Sequence, residues 1–157
     1  MDNSVSVGEG EENLSVLPDN FRERRDLEQY FFTKEMIDKY ISSLMMRYQD
    51  KENIEKKLCL ICCPSLATAF YERHDIHVSC LDIDTRFQNL PGFKYFDLQN
   101  PYDFKNEFEL ILFDPPFFYI TLEQMSKAIQ IICKNSSSPN GCKLMMSFMT
   151  KDEVRVK

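Results

Sequence analysis

Residues Leu58–Cys63 and Phe108–Phe113 are short, nearly unbroken apolar runs, and they limit the folds open to this chain more than anything else in it. A strand wetted on one side alternates apolar and polar residues. A continuous run signals burial on both faces, as in a parallel sheet covered by helices. The intervening segments agree. Pro64-Ser65 ends the first run and can open a helix through about Glu72. Ile76–Leu81 reads as a second strand, Phe93–Phe96 as a short third, and Phe108–Phe113 as the fourth. Thr121–Cys133 is helical in pattern, with Leu122, Met125, Ile129 and Ile132 on one side, and a Ser/Pro/Asn/Gly loop over 136–141 precedes a fifth strand, Lys143–Met149. Ahead of these, Thr33 caps a helix whose apolar positions, from Met36 and Ile37 to Tyr48, keep the 3.6-residue period. The polar stretch Asp50–Lys57 reads as a connection. Strands alternating with helices predict an α/β fold, Rossmann-like, with a mainly parallel sheet and right-handed crossovers. In such sheets ligands bind beyond the carboxyl ends of the strands.

The chain has 157 residues, the size of one domain. Residues 1–16 carry Asp2, Glu9, Glu11 and Glu12 with Gly8 and Gly10 and no aromatic residue, and read as a disordered acidic tail. No apolar stretch approaches the ~20 residues of a membrane span, and the N-terminus lacks the basic and apolar regions of a signal peptide. Cys62 and Cys63 are adjacent, and they and Cys59 and Cys80 lie in apolar segments, which predicts reduced thiols in a cytoplasmic protein. A net charge of −6 speaks against strong non-specific nucleic-acid binding.

Carboxylates recur at the predicted strand ends. Asp82 and Asp84 end the second strand, at the ~20-residue distance from the first strand-to-helix turn where a ribose-hydroxyl partner is expected. Asp97 follows the third strand and could reach an adenine edge. Asp114 follows the fourth and opens Asp114-Pro115-Pro116-Phe117. Each proline fixes its own φ and removes a backbone donor, and Pro115 biases Asp114 towards extended backbone. The turn thus holds a carboxylate, a free carbonyl and a flat ring in one orientation, which suits an amino group bound beneath an aromatic face. The first turn, Cys62-Cys63-Pro64-Ser65-Leu66-Ala67, contains no glycine and is a poor pyrophosphate cradle. A cofactor held by its sugar and base fits better, and S-adenosylmethionine is the candidate, its sulfonium facing carbonyls and aromatic rings. Cys59-x-x-Cys62 followed by His74-x-x-His77 imitates a zinc site, but the histidine spacing is one short and both cysteines belong to a strand, so no metal is expected.

With these features in order, the chain resembles the class I methyltransferases of the N-6 adenine methylase type. It is more closely similar to the eukaryotic branch that holds elongation factor 1 alpha lysine methyltransferases and a ribosomal-RNA adenine methyltransferase. The resemblance rests on Leu27–Phe32, Cys63-Pro64-Ser65, Leu81–Phe87, Asn100-Pro101 and Phe113–Phe117. It implies a methyltransferase domain over residues 17–157 and S-adenosylmethionine as cofactor. By that resemblance, Asp82 or Asp84 would hold the ribose, Cys63, Pro64 and Ser65 would pass beneath the methionine portion, and Asp97 would lie near the adenine. Asp114 and the Pro115 carbonyl would grip the acceptor amine, with Pro116 and Phe117 against the substrate. Tyr30, Phe31 and Phe32 resemble the aromatic segment that closes over the site.

The acidic charge and the absence of basic tracts favour a lysine side chain on a protein, such as elongation factor 1 alpha. The alternatives are N-6 methylation of adenine in RNA or DNA, and a non-catalytic protein that binds cofactor or partner. Relatives in that branch continue past the fifth strand with a helix and a closing hairpin, whereas this chain ends at Lys157, eight residues after Met149. The resemblance therefore implies a sheet without those last strands. Phe118 is bulkier than the branch's residue there and is expected to narrow the acceptor pocket.

Overall fold

The computed structural model describes residue 17 and residues 21–29, 31–136 and 138–147. Within them the order is α1 (Lys34–Tyr48), α2 (Lys51–Lys57), β1 (Leu58–Ile61), α3 (Pro64–His74), β2 (Ser79–Asp82), β3 (Phe93–Tyr95), β4 (Leu110–Phe113), α4 (Leu122–Cys133) and β5 (Lys143–Met146). Short 3-10 turns occupy Arg25–Leu27 and Thr85–Phe87. The five strands form one sheet in the order β3-β2-β1-β4-β5, every neighbouring pair parallel. The α/β, Rossmann-like expectation is met. The proposed acidic tail, Tyr30 and the residues beyond 147 lie outside the described residues.

The apolar runs behave as their composition requires. Leu58, Leu60, Leu110 and Leu112 point to one face of the sheet and pack with Ile37, Ile41, Leu44, Leu66 and Phe70 from α1 and α3. Cys59, Ile61, Ile111 and Phe113 point to the other, against Met125, Ala128 and Ile132 of α4. A run with no polar position is what a strand with two covered faces needs. Thr33 caps α1 by accepting from the Met36 N–H, and Thr121 with Gln124 forms a reciprocal capping box at the start of α4.

Two boundaries differ from expectation for local reasons. Asp50–Lys57, read as a connection, holds helix α2. Asp50 accepts from the Asn53 N–H, Lys51–Glu55 and Lys56–Glu52 pair one turn apart, and a single buried residue, Ile54, anchors it. A helix this short shows no apolar periodicity to read. The second strand begins at Ser79, because Ile76 is tied to the end of α3 through the Phe70 carbonyl before the chain reaches the ladder.

Candidate active site

The sheet changes direction of growth between β1 and β4, since β2 and β3 lie to one side and β5 to the other. At such a switch point the strand-to-helix connections diverge and leave a crevice at the carboxyl ends. The register then decides which residues line it. Ile61 pairs with both Leu81 and Phe113, and Phe113 pairs with Met146. One step further, Cys62, Asp82, Asp114 and Ser147 stand in a row across the sheet. Backbone bonds extend the ladder into this row: Asp114 N–H donates to the Ile61 carbonyl (3.1 Å), Cys62 N–H to Leu81 (3.0 Å) and Ser147 N–H to Phe113 (2.8 Å).

A cavity of about 230 Å³ opens above the row, and its lining includes Cys63, Pro64, Ser65, Asp82, Asp97, Asp114, Pro116, Phe31 and Phe32. Residues far apart in the chain are therefore brought together. Cys62 makes the first turn by adopting the left-handed conformation, φ 59°, a position that glycine fills most cheaply. Pro64 follows at the first position of α3, and the Ser65 hydroxyl accepts from the Phe32 N–H at 3.4 Å, tying the N-terminal segment to the turn. The thiols here are not reactive groups: burial pushes those of Cys62 and Cys63 well up, and Cys63 donates to the Ile61 carbonyl at 3.3 Å.

The two acids after β2 have different surroundings. Asp82 lines the cavity, and its Oδ1 accepts from the Asp84 N–H at 2.8 Å. Burial raises its pKa to about 6, the nearby Asp84 charge adding to the effect while backbone donors oppose it. Asp84 is wholly buried and turns away from the cavity lining. Arg86 Nε donates to both its oxygens at 3.0 and 3.1 Å, and Gln29 Nε2 adds a bond of 2.9 Å. Burial alone would raise its pKa, but these donors hold it below the usual carboxylate range. Of the pair, Asp82 borders the cavity, and Asp84 is tied to the N-terminal segment through Gln29.

Asp97 borders the cavity beside Phe96 and Leu98, its oxygens held by the Gln99 N–H and by Asn100 Nδ2. Asp114 reaches the cavity from the other side. Burial raises its pKa to about 7; a hydrogen bond with the Ser147 hydroxyl pulls it down, and the charge of Glu28 pushes it further up. Ser147 stands beside Asp114 in the row, and the Tyr40 phenol lies near it behind the site. Pro115 is buried under the turn. Among the described residues no hydrogen bond engages its carbonyl, whereas Pro116 O accepts from the N–H groups of Tyr119 and Ile120. Phe117 is half exposed and outside the cavity lining, and Phe118 is 84% exposed on an outer hollow with Glu23, Arg25, Glu28 and Tyr119. Tyr119, not Phe118, is among the residues that line the inner cavity. The expected narrowing by Phe118 does not occur, because the chain turns back at Pro116 and aims that ring outward.

The roof is a strap from Phe21 to Phe32. One end is clasped by Arg86, which donates to the Arg22 carbonyl and to Gln29 and stacks over the Phe21 ring at 4.3 Å. The other end crosses to the Asp-Pro-Pro-Phe turn: Glu28 Oε2 accepts from the Phe118 N–H at 2.7 Å, and Tyr119 donates to the Arg25 carbonyl at 3.4 Å. Glu28, Gln29, Arg86, Tyr40 and Ser147 were not singled out as site residues from the sequence. Counting one step past each paired strand end would have placed Ser147 beside Asp114. The strap contacts have no such signal, being long-range and specific to the tertiary fold.

The cysteine and histidine spacing that imitates a zinc site separates in space. Cys59 is buried in β1, whereas His77 Nε2 meets Asp75 at 3.0 Å beyond the end of α3. Among the described residues no cluster of three or more His, Cys, Asp or Glu is arranged to hold a metal ion, and no helix is long and apolar enough to cross a membrane. A family model described as Probable N6-adenine methyltransferase matches residues 23–157. Comparison with curated proteins returned no match.

Proposed function

The chain belongs to the family described as Probable N6-adenine methyltransferase, and from that premise we propose that it transfers methyl from S-adenosylmethionine to the amine of a lysine side chain on a protein. Elongation factor 1 alpha is the candidate substrate, by the resemblance of its aromatic, Pro-Ser and Asp-Pro-Pro-Phe segments. One observation carries the choice of acceptor. The cavity is lined by five carboxylates, Asp26, Glu28, Asp82, Asp97 and Asp114, and by no Lys, Arg or His among the described residues. That field attracts a sulfonium and a basic side chain and repels the phosphates of a nucleic acid. The family's own description favours the second reading, N-6 methylation of adenine.

The residues fit such a cofactor. Asp82, an acceptor at a strand end with apolar neighbours, suits ribose hydroxyls, and Ile83, Phe96 and Leu98 offer apolar surface for a flat base. Ser65 and Pro64 border the space left for the amino-acid portion, where no glycine-lined phosphate cradle exists. Bound there, the cofactor would supply an electrophilic methyl group.

The chain's own contribution is positional. Asp114 and the Pro115 carbonyl accept from the amine and aim its lone pair, and such alignment accounts for much of the rate in displacements of this kind. A lysine amine, with an ordinary pKa near 10.4, reacts only after losing its proton. Apolar walls from Phe31, Phe32 and Ile120 lower that value by desolvation. Asp114, raised to about 7, is poised to hold a proton at neutral pH as the amine gives it up.

The test is labelling. The purified chain is incubated with methyl-labelled S-adenosylmethionine and a cell extract; the expected label sits in a protein band and survives ribonuclease. Label that survives protease and vanishes with ribonuclease would move the acceptor to adenine. Calorimetry with unlabelled cofactor should show binding weakened at least about tenfold by Asp82→Ala, the loss of a charge-assisted hydrogen bond. No binding by the unmodified chain would sink the enzymatic reading.

A further inference from the structure

We infer that Glu28 and Asp114 form a two-carboxylate clamp that captures the acceptor as a cation, making Glu28 a specificity-determining residue. The inference rests on the reading of a basic acceptor and goes beyond it by assigning the discrimination to one side chain of the strap.

Glu28 owes its position to two backbone facts. It ends the Arg25–Leu27 turn in the left-handed conformation, φ 50°, and its N–H donates to the Arg25 carbonyl at 3.0 Å. That reversal throws the side chain across the mouth of the cavity to the Phe118 N–H. Glu28 thereby borders both the inner cavity and the outer hollow, so that a side chain entering from the hollow meets it before Asp114.

The charge balance around the mouth is uneven. Asp26 is paired with Arg24, and buried Asp84 with Arg86. Among the described residues no ion pair involves Glu28 or Asp114. The groups that face Asp114 are the Glu28 carboxylate from the strap, the Cys62 and Cys63 thiols from the first turn, the Tyr40 phenol from α1 and the Ser147 hydroxyl after β5. Those facing Glu28 are Glu23 and Arg25 of its own strap and Asp114. Two carboxylates thus share a partly desolvated space in which neither has an ion-pair partner among the described residues, and the Glu28 charge disfavours the ionisation of Asp114. An ammonium between them removes the repulsion; a neutral adenine amino group does not. Glu28 acts at capture, ahead of the deprotonation that reaction needs, so its loss is felt in KM more than in kcat.

Glu28→Gln tests this, because the amide oxygen still accepts from the Phe118 N–H and the turn is retained. In the unliganded chain, carbon-detected NMR titration of the Asp114 carboxyl should show its pKa falling on the order of half a unit, the size of one lost like-charged neighbour across a partly solvated gap. Binding of n-butylammonium, followed by chemical-shift titration, should weaken roughly fivefold to tenfold, while binding of neutral n-butanol stays the same. Glu28→Asp, which keeps the charge, should restore the ammonium preference. An unchanged Asp114 titration, or equal losses for both alcohol and ammonium, would overturn the clamp. Neither measurement needs methyl transfer. If both hold and lysine peptides still accept no label, the clamp stands and the proposed acceptor falls.

Discussion

Replacing Asp114 by Asn should abolish turnover and, at the same time, stabilise the fold at alkaline pH. The carboxyl is raised from 3.8 to about 7, first by burial and then by Glu28, against the pull of the Ser147 hydroxyl. A folded-state pKa above the unfolded one means that the native state holds the proton longer, so stability is fully present below about pH 4 and drains away as pH rises through 7. Each unit corresponds to about 1.4 kcal/mol, so the shift costs the native state up to about 4 kcal/mol above pH 7. Asparagine cannot ionise and escapes that cost, but loses part of the Ser147 hydrogen bond, worth about 1 kcal/mol. The variant should therefore be more stable than the parent by roughly 2–3 kcal/mol at pH 8, and equal or slightly weaker at pH 4.5. Urea denaturation followed by circular dichroism at the two pH values measures the difference, with a common m-value as the check that only stability changed. A gap between the two proteins that is the same at both pH values would refute the assignment of Asp114 as a carboxyl whose burial opposes its ionisation.

Two further outcomes follow from the frame around the site. Gly92→Ala should cost at least about 2 kcal/mol in urea denaturation, since a Cβ there would meet the Val78 carbonyl oxygen at 2.0 Å while the Gly92 carbonyl is held by the Cys80 N–H. A loss under about 0.5 kcal/mol would show that β2 and β3 are not packed this closely. Arg86→Gln removes the charge partner of wholly buried Asp84 together with the clasp on Arg22 and Gln29. The cost should be about 2 kcal/mol, reduced from the full buried-pair value because Arg86 is itself partly exposed. Amide hydrogen exchange should quicken selectively between Arg24 and Phe31; uniform change along the chain, or none, would dissociate Arg86 from the strap.

Much of the fold is legible in the chain because burial on two faces demands apolar runs, and α1 and α4 announce themselves by period and cap. Helix α2 was not, since one buried side chain and two surface ion pairs leave no periodic trace. At the site, the strand-end acids were recognisable as a set, and the Asp-Pro-Pro-Phe segment as a rigid turn at a strand end, because proline restricts local backbone whatever the surroundings. The roles within that set were not. Asp82 and Asp84 are two residues apart and chemically identical, yet one borders the cavity and the other is consumed by Arg86 and Gln29. Likewise the bulk of Phe118 predicts a crowded pocket, whereas the turn at Pro116 points that ring outward and Tyr119 borders the cavity instead.

By itself, then, the sequence determined the parallel sheet, the crevice at its carboxyl ends and the kind of groups found there, all consequences of local backbone preference and side-chain hydrophobicity. Only the tertiary structure decided which carboxylates remain available and how readily each gives up its proton. Those properties depend on register across strands and on the strap from Phe21 to Phe32 lying over the site. Burial and charge at a carboxylate are set by neighbours distant in the chain, and no local pattern encodes them.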